Sequence, residues 1–94
     1  MTDAELLKKV KIGLFGTDNG TWRDEVLSVY ISEVKEFMKS AGVSESVIAS
    51  EASVGCFLIG VNDLWNYSGG GVKLSDYFKQ RVIQLATAPG GDAT

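Results

Sequence analysis

Apolar residues recur along this chain at intervals of three and four, with polar residues between them. No stretch alternates at a period of two, so the pattern predicts helices and no half-buried strand. The first helix is expected from Thr2 to about Lys11. Thr2 and Glu5 stand at the T-x-x-E spacing of a capping box, and Leu6, Leu7, Val10 and Leu14 form one stripe. Gly13 and Gly16 are expected to stop it, with FGTDNG as a loop. A second helix starts near Thr21, with Thr21 or a nearby residue as its cap and Asp24 and Glu25 in a first turn that favours acids. Its apolar positions are Val26, Leu27, Tyr30, Ile31, Val34, Phe37, Met38 and Ala41, and Gly42 is its stop.

Ser44 caps a short helix or turn carrying Val47 and Ile48. Ser50 caps a longer helix from about Glu51, where Val54, Phe57, Leu58, Val61, Leu64 and Trp65 share a stripe. Gly55 and Gly60 inside that helix each cost about 1 kcal/mol relative to alanine. Close approach of another backbone would explain such a cost. The last helix runs from Ser75 to about Ala86, with Tyr77, Phe78, Val82 and Leu85 turned inward. The predicted architecture is all-α: a small bundle of four to five helices with short loops. Residues 1–86 form the single domain, and 87–94, with a proline and two glycines, are expected to be a flexible C-terminal tail. Tyr30, Phe37, Phe57, Leu64, Trp65 and Phe78 are the expected core anchors.

The segment DLWNYSGGGVKLSDYFKQRVIQL joins an aromatic helix end to three glycines and a newly capped helix. Gly69, Gly70 and Gly71 permit positive φ and a sharp reversal. The Ser75 oxygen is placed to accept an orphan backbone N–H. The segment reads as a device for fixing the angle between two helices. Tryptophan and tyrosine dominate interface hot spots, so Trp22, beside the polar loop, and Tyr67 with the glycine run are the candidate interface residues.

Ninety-four residues bound the chain to one domain with little spare stability. The net charge is −3, from nine basic and twelve acidic side chains. A protein that grips phosphates needs a basic face. The one small basic cluster, Lys8, Lys9 and Lys11, reads as a solvated helix face. Cys56 is the single cysteine, so no internal disulfide is available, and it reads as a small core residue. With no histidine and one cysteine, the usual N/S zinc site is out of reach and the commonest general base is missing. No catalytic, metal or cofactor-binding residues are assigned, and no enzyme is expected. No run approaches about 18 apolar residues and the N-terminus shows no signal core, so a soluble cytoplasmic protein without membrane contact is expected.

The block W-N-Y with glycines followed by L-S-x-Y-F-x-Q-R resembles the C-terminal half of small head–tail connector proteins of tailed phages and prophages of Gram-positive bacteria. These are often described as DNA packaging or head-completion adaptor proteins. The likeness extends upstream through TDAELLKKVKIGL, DEVLSVYISEVKEFMKSAGV and SEASVGCFLIGVNDLW, in the same order, and covers about residues 2–86. One position departs from the pattern, Ser68 standing where a glycine directly after the tyrosine would be expected. The resemblance implies a structural subunit that forms a ring beneath the portal, extends the DNA channel and meets the next adaptor or the tail. It implies self-association, as a dodecamer, with DNA only as passing cargo. The expected locations are the host bacterial cytoplasm during assembly and the head–tail junction of the virion.

Two sharper signals compete with that reading. Gly42, Val43 and Ser44, followed by Ile48, imitate the turn and recognition helix of a helix-turn-helix, as in a small terminase-like DNA-binding protein. Yet 44–53 contain no Arg, Lys, Asn or Gln and carry Glu45 and Glu51, the wrong side chains for reading bases. The triple glycine resembles a phosphate cradle only superficially. Lys73 and Ser75 are out of register for a nucleotide loop, and a helix precedes where a strand is required. A dimeric helical interaction module is the remaining alternative.

Overall fold

The computed structural model describes residues 1–21, 23–66 and 74–87. Among these the protein is all-α, with five helices: α1 (Asp3–Phe15), α2 (Asp24–Ser40), α3 (Glu45–Ile48), α4 (Val54–Asn66) and α5 (Asp76–Thr87). A 3-10 turn, Glu51–Ser53, leads directly into α4.

The capping box of α1 forms as its spacing predicts. The Glu5 N–H donates to Thr2 Oγ1 at 3.1 Å, and the Thr2 N–H donates to Glu5 Oε1 at 2.8 Å. The bonds from Thr2, its backbone N–H foremost, hold the Glu5 carboxyl below its ordinary value. The helix runs four residues further than the expected end near Lys11. Gly13 lies within it, and only Gly16 stops it, at φ 76°, donating its N–H to the Ile12 carbonyl at 2.8 Å. Gly13 serves packing instead: a Cβ there would overlap the Leu58 side chain of α4.

Helix α2 starts without a side-chain cap. Thr21 contributes only its carbonyl, to the Asp24 N–H at 3.1 Å. Leu27, Ile31, Val34 and Met38 form its buried stripe, with Tyr30 and Phe37 half-buried beside them. Val26, expected on that stripe, is exposed. Gly42, at φ 94°, turns the chain into α3, whose cap is the Ser44 hydroxyl accepting from the Val47 N–H at 3.3 Å. The buried Ser53 hydroxyl donates to the carbonyls of Ile48 (2.7 Å) and Ser50 (3.0 Å), which locks the bend between α3 and α4.

Helix α4 is the centre of the bundle, with α1, α2 and α5 all packed against it. This explains its near-continuous apolar sequence, because a helix with neighbours on several sides cannot keep a wide polar face. Cys56, Phe57, Gly60, Val61 and Leu64 are buried along it. Burial pushes the Cys56 thiol up to about 11. Gly60 meets side chains and not the expected backbone: a Cβ there would lie 2.6 Å from Phe78 Cε1 and 2.8 Å from Val34 Cγ2. Gly55 has no such neighbour, the nearest atom being an Arg81 nitrogen at 3.9 Å, so packing does not account for it.

Among the expected anchors, Phe57, Leu64 and Phe78 are core residues, and Tyr30, Phe37 and Trp65 pack on the core from its edge. Phe37 and Phe78 are in ring contact at 5.4 Å, joining α2 to α5. Tyr77 was expected inward and is instead 62% exposed. Phe78 and Val82 alone are buried on α5, so its inner face is too narrow to include a residue 100° from Phe78. Thr87 continues α5, and the remaining tail, 88–94, lies outside the described residues.

Candidate functional site

Four helix termini meet at one end of the bundle: the C-termini of α1 and α4 and the N-termini of α2 and α5. Phe15, the last residue of α1, belongs to an aromatic cluster centred on Trp65. Trp65 from the last turns of α4 meets Phe15 edge-on at 5.4 Å and 69°. Tyr30 of α2 also meets Trp65, at 6.4 Å and 85°. These are the edge-to-face geometries that ring quadrupoles favour. The Arg23 guanidinium lies 3.9 Å from the Phe15 ring centroid, a cation–π contact that joins the start of α2 to the end of α1.

The loop after α1 is held from beneath by Lys11. Its ammonium donates to the Gly20 carbonyl at 2.7 Å and pairs with Asp24 Oδ1 at 2.9 Å, while the residue is 6% exposed. Lys11 was expected on a solvated face with Lys8 and Lys9. Those two are more exposed and make ion pairs with Asp18 (3.8 Å) and Glu51 (3.2 Å). Lys11 differs because it stands four residues after Leu7 and three before Leu14, on the apolar side of α1. That spacing was the available signal. A lysine there is tolerated because the Gly20 carbonyl and the partly exposed Asp24 carboxylate together satisfy its ammonium.

The junction between α4 and α5 is tied by Asp63. Its Oδ2 accepts from the Ser75 N–H at 3.0 Å and from the Ser75 hydroxyl at 2.7 Å. The same hydroxyl oxygen accepts from the Phe78 N–H at 3.1 Å, as an N-cap. One carboxylate in the last turns of α4 thus sets the starting position of α5. The serine cap was legible in sequence, but its carboxylate partner twelve residues earlier was not. Beside this tie lies a groove of about 480 Å³, lined among others by Leu14, Leu58, Ile59, Asn62 and Tyr77.

Trp22, Tyr67, Gly69, Gly70 and Gly71, the expected interface residues, lie outside the described residues. The described residues that flank them in sequence, Arg23 on one side and Trp65 and Asn66 on the other, belong to this same end. The helix-turn-helix signal takes a different form. Helix α3 is a single turn of four residues with Val47 and Ile48 buried, about 6 Å long. That is too short to lie along a major groove.

Among the described residues no cluster of His, Cys, Asp or Glu is arranged to hold a metal ion. Among the same residues no helix is long and apolar enough to cross a membrane. Comparisons with family models, curated proteins and solved structures each return no match.

Proposed function

We propose that this chain is a structural subunit of the head–tail junction of a tailed phage. In this reading copies of it form a ring under the portal, extend the DNA channel after packaging, and offer a surface to the next adaptor or tail protein. The role is mechanical and involves no turnover. The supporting observation is the correspondence between blocks of resemblance and helices. TDAELLKKVKIGL falls on α1, DEVLSVYISEVKEFMKSAGV on α2, and SEASVGCFLIGVNDLW on the 3-10 turn with α4. The most specific block spans the junction that Asp63 and Ser75 tie together. A small core suits such a role, because neighbours in a ring add stability that the subunit lacks alone.

The test is to mix the purified chain with portal rings from the same genome and measure the mass of the complexes by electron microscopy and mass photometry. A defined ring on one face of the portal is the expected result. Absence of portal binding, together with duplex DNA binding whose affinity falls steeply with salt, would replace this reading with the DNA-binding one.

A further inference from the structure

Asn19 and Gly20 form an Asn-Gly step in the loop between α1 and α2, and both are exposed. The Asn19 N–H donates to Thr17 Oγ1 at 3.1 Å, so the turn is held there by the main chain. Among the described residues the Asn19 carboxamide has no hydrogen-bond partner, and neither has the Gly20 N–H. Gly20 stands at φ 83°, where a Cβ would be strained, and no side chain shields its nitrogen. The other end of Gly20 is fixed: its carbonyl accepts from Lys11 Nζ at 2.7 Å beneath the loop. Asn62 differs. It lies inside α4, where the N–H of the following Asp63 is committed to the helix ladder and the Asp63 carboxylate to Ser75.

We propose that Asn19 is a site of spontaneous covalent modification, at which the folded chain turns asparagine into aspartate and isoaspartate through a cyclic imide. The Gly20 nitrogen gives its proton to a solvent base, attacks Asn19 Cγ and forms a new C–N bond, an intramolecular step that needs no second reactant. The bond from Cγ to the amide nitrogen breaks, and that nitrogen takes a proton from water and leaves as ammonia. Water then opens the imide, and nothing is oxidised or reduced. Breaking the imide bond to Cγ restores the ordinary main chain with aspartate at this position. Breaking the bond to the main-chain carbonyl carbon leaves the chain running through Cβ and Cγ, longer by a methylene.

Either product adds one negative charge to the net −3. The isoaspartyl product does more. Its longer link enters directly before Gly20, whose carbonyl the buried Lys11 ammonium holds, and it draws that carbonyl off the ammonium. The modification therefore loosens the tie between α1 and the loop that leads into α2. This inference is independent of the ring reading above.

The experiment incubates the folded full chain, and the same chain unfolded in urea, in mildly alkaline buffer and maps their tryptic peptides by mass. Asn19 falls in the peptide 12–23 and Asn62 in 40–73. In the folded chain Asn19 is expected to gain the mass of an amide-to-acid exchange at a rate within about threefold of the unfolded chain, because a surface loop opens at little cost. Asn62 should remain asparagine in the folded chain. Enzymatic methylation of isoaspartate should label the converted peptide but not the same peptide of Asn19→Asp. Asn19→Gln keeps the carboxamide but must close a larger ring, and should stay unlabelled. The converted chain, separated from its parent by anion exchange, should exchange amides over 17–21 faster than Asn19→Asp does. An Asn19 that stays intact in the folded chain while the unfolded chain converts it would overturn the proposal, as would conversion without isoaspartate. A converted chain whose loop exchanges as slowly as that of Asn19→Asp would overturn the link to Lys11.

Discussion

Gly55 and Gly60 lie on the same helix, five residues apart, and the same substitution should move stability in opposite directions at the two positions. Alanine is better than glycine in a helix by about 1 kcal/mol, so both changes begin with that gain. At Gly55 nothing opposes it, since the nearest atom to a new Cβ is the end of the Arg81 side chain at 3.9 Å. Gly55→Ala should therefore stabilise by about 1 kcal/mol, raising Tm by roughly 4–8 °C for a domain of this size. At Gly60 the new Cβ would stand 2.6 Å from Phe78 Cε1 and 2.8 Å from Val34 Cγ2. Both neighbours are fully buried, and neither is the free end of a flexible chain. Overpacking of a tight core costs about 1–3 kcal/mol, and two such contacts place Gly60 at the upper end. After the helix gain, Gly60→Ala should destabilise by about 2 kcal/mol. Urea denaturation followed by circular dichroism measures both. Val34→Ala opens the space, so Gly60→Ala should cost markedly less in that background than in the wild type. A Gly60→Ala protein as stable as the wild type would refute the packing argument.

Lys11→Met should destabilise by about 1–3 kcal/mol, less than a fully buried pair because Asp24 is partly exposed, and should speed amide exchange over 17–21; a change under about 0.5 kcal/mol would contradict the role given to the ammonium. Asp63→Ala removes the acceptor of both Ser75 bonds and should cost about 1–3 kcal/mol, with amide exchange rising in α5 before α2; equal acceleration in both helices would argue against a local tie. Cys56 has a folded-state pKa above its unfolded value of 9.0, so its contribution to stability is complete below about 9 and is lost as pH rises through about 11. The stability difference between the wild type and Cys56→Ala should therefore shrink over that window, and Cys56 should resist thiol reagents at pH 7 in the folded state; rapid labelling without unfolding would show the burial to be wrong.

Helix number, helix type and most of the core could be read from the chain, because a buried face imposes its 3.6-residue period on the residues that form it. The Thr2, Ser44, Ser50 and Ser75 caps were equally legible, since each is satisfied by a backbone N–H two or three residues away. Only packing decided the rest. The end of α1 passed a glycine because Leu58 occupies the space beside Gly13, and Tyr77 turned outward because α5 rests on a narrow contact. Lys11 went inside because Gly20 and Asp24 close over its ammonium, and Asp63 reached Ser75 across twelve residues. Local periodicity records which side of a helix is apolar. Which partner waits there depends on how the helices are set against one another, and no single segment carries that information.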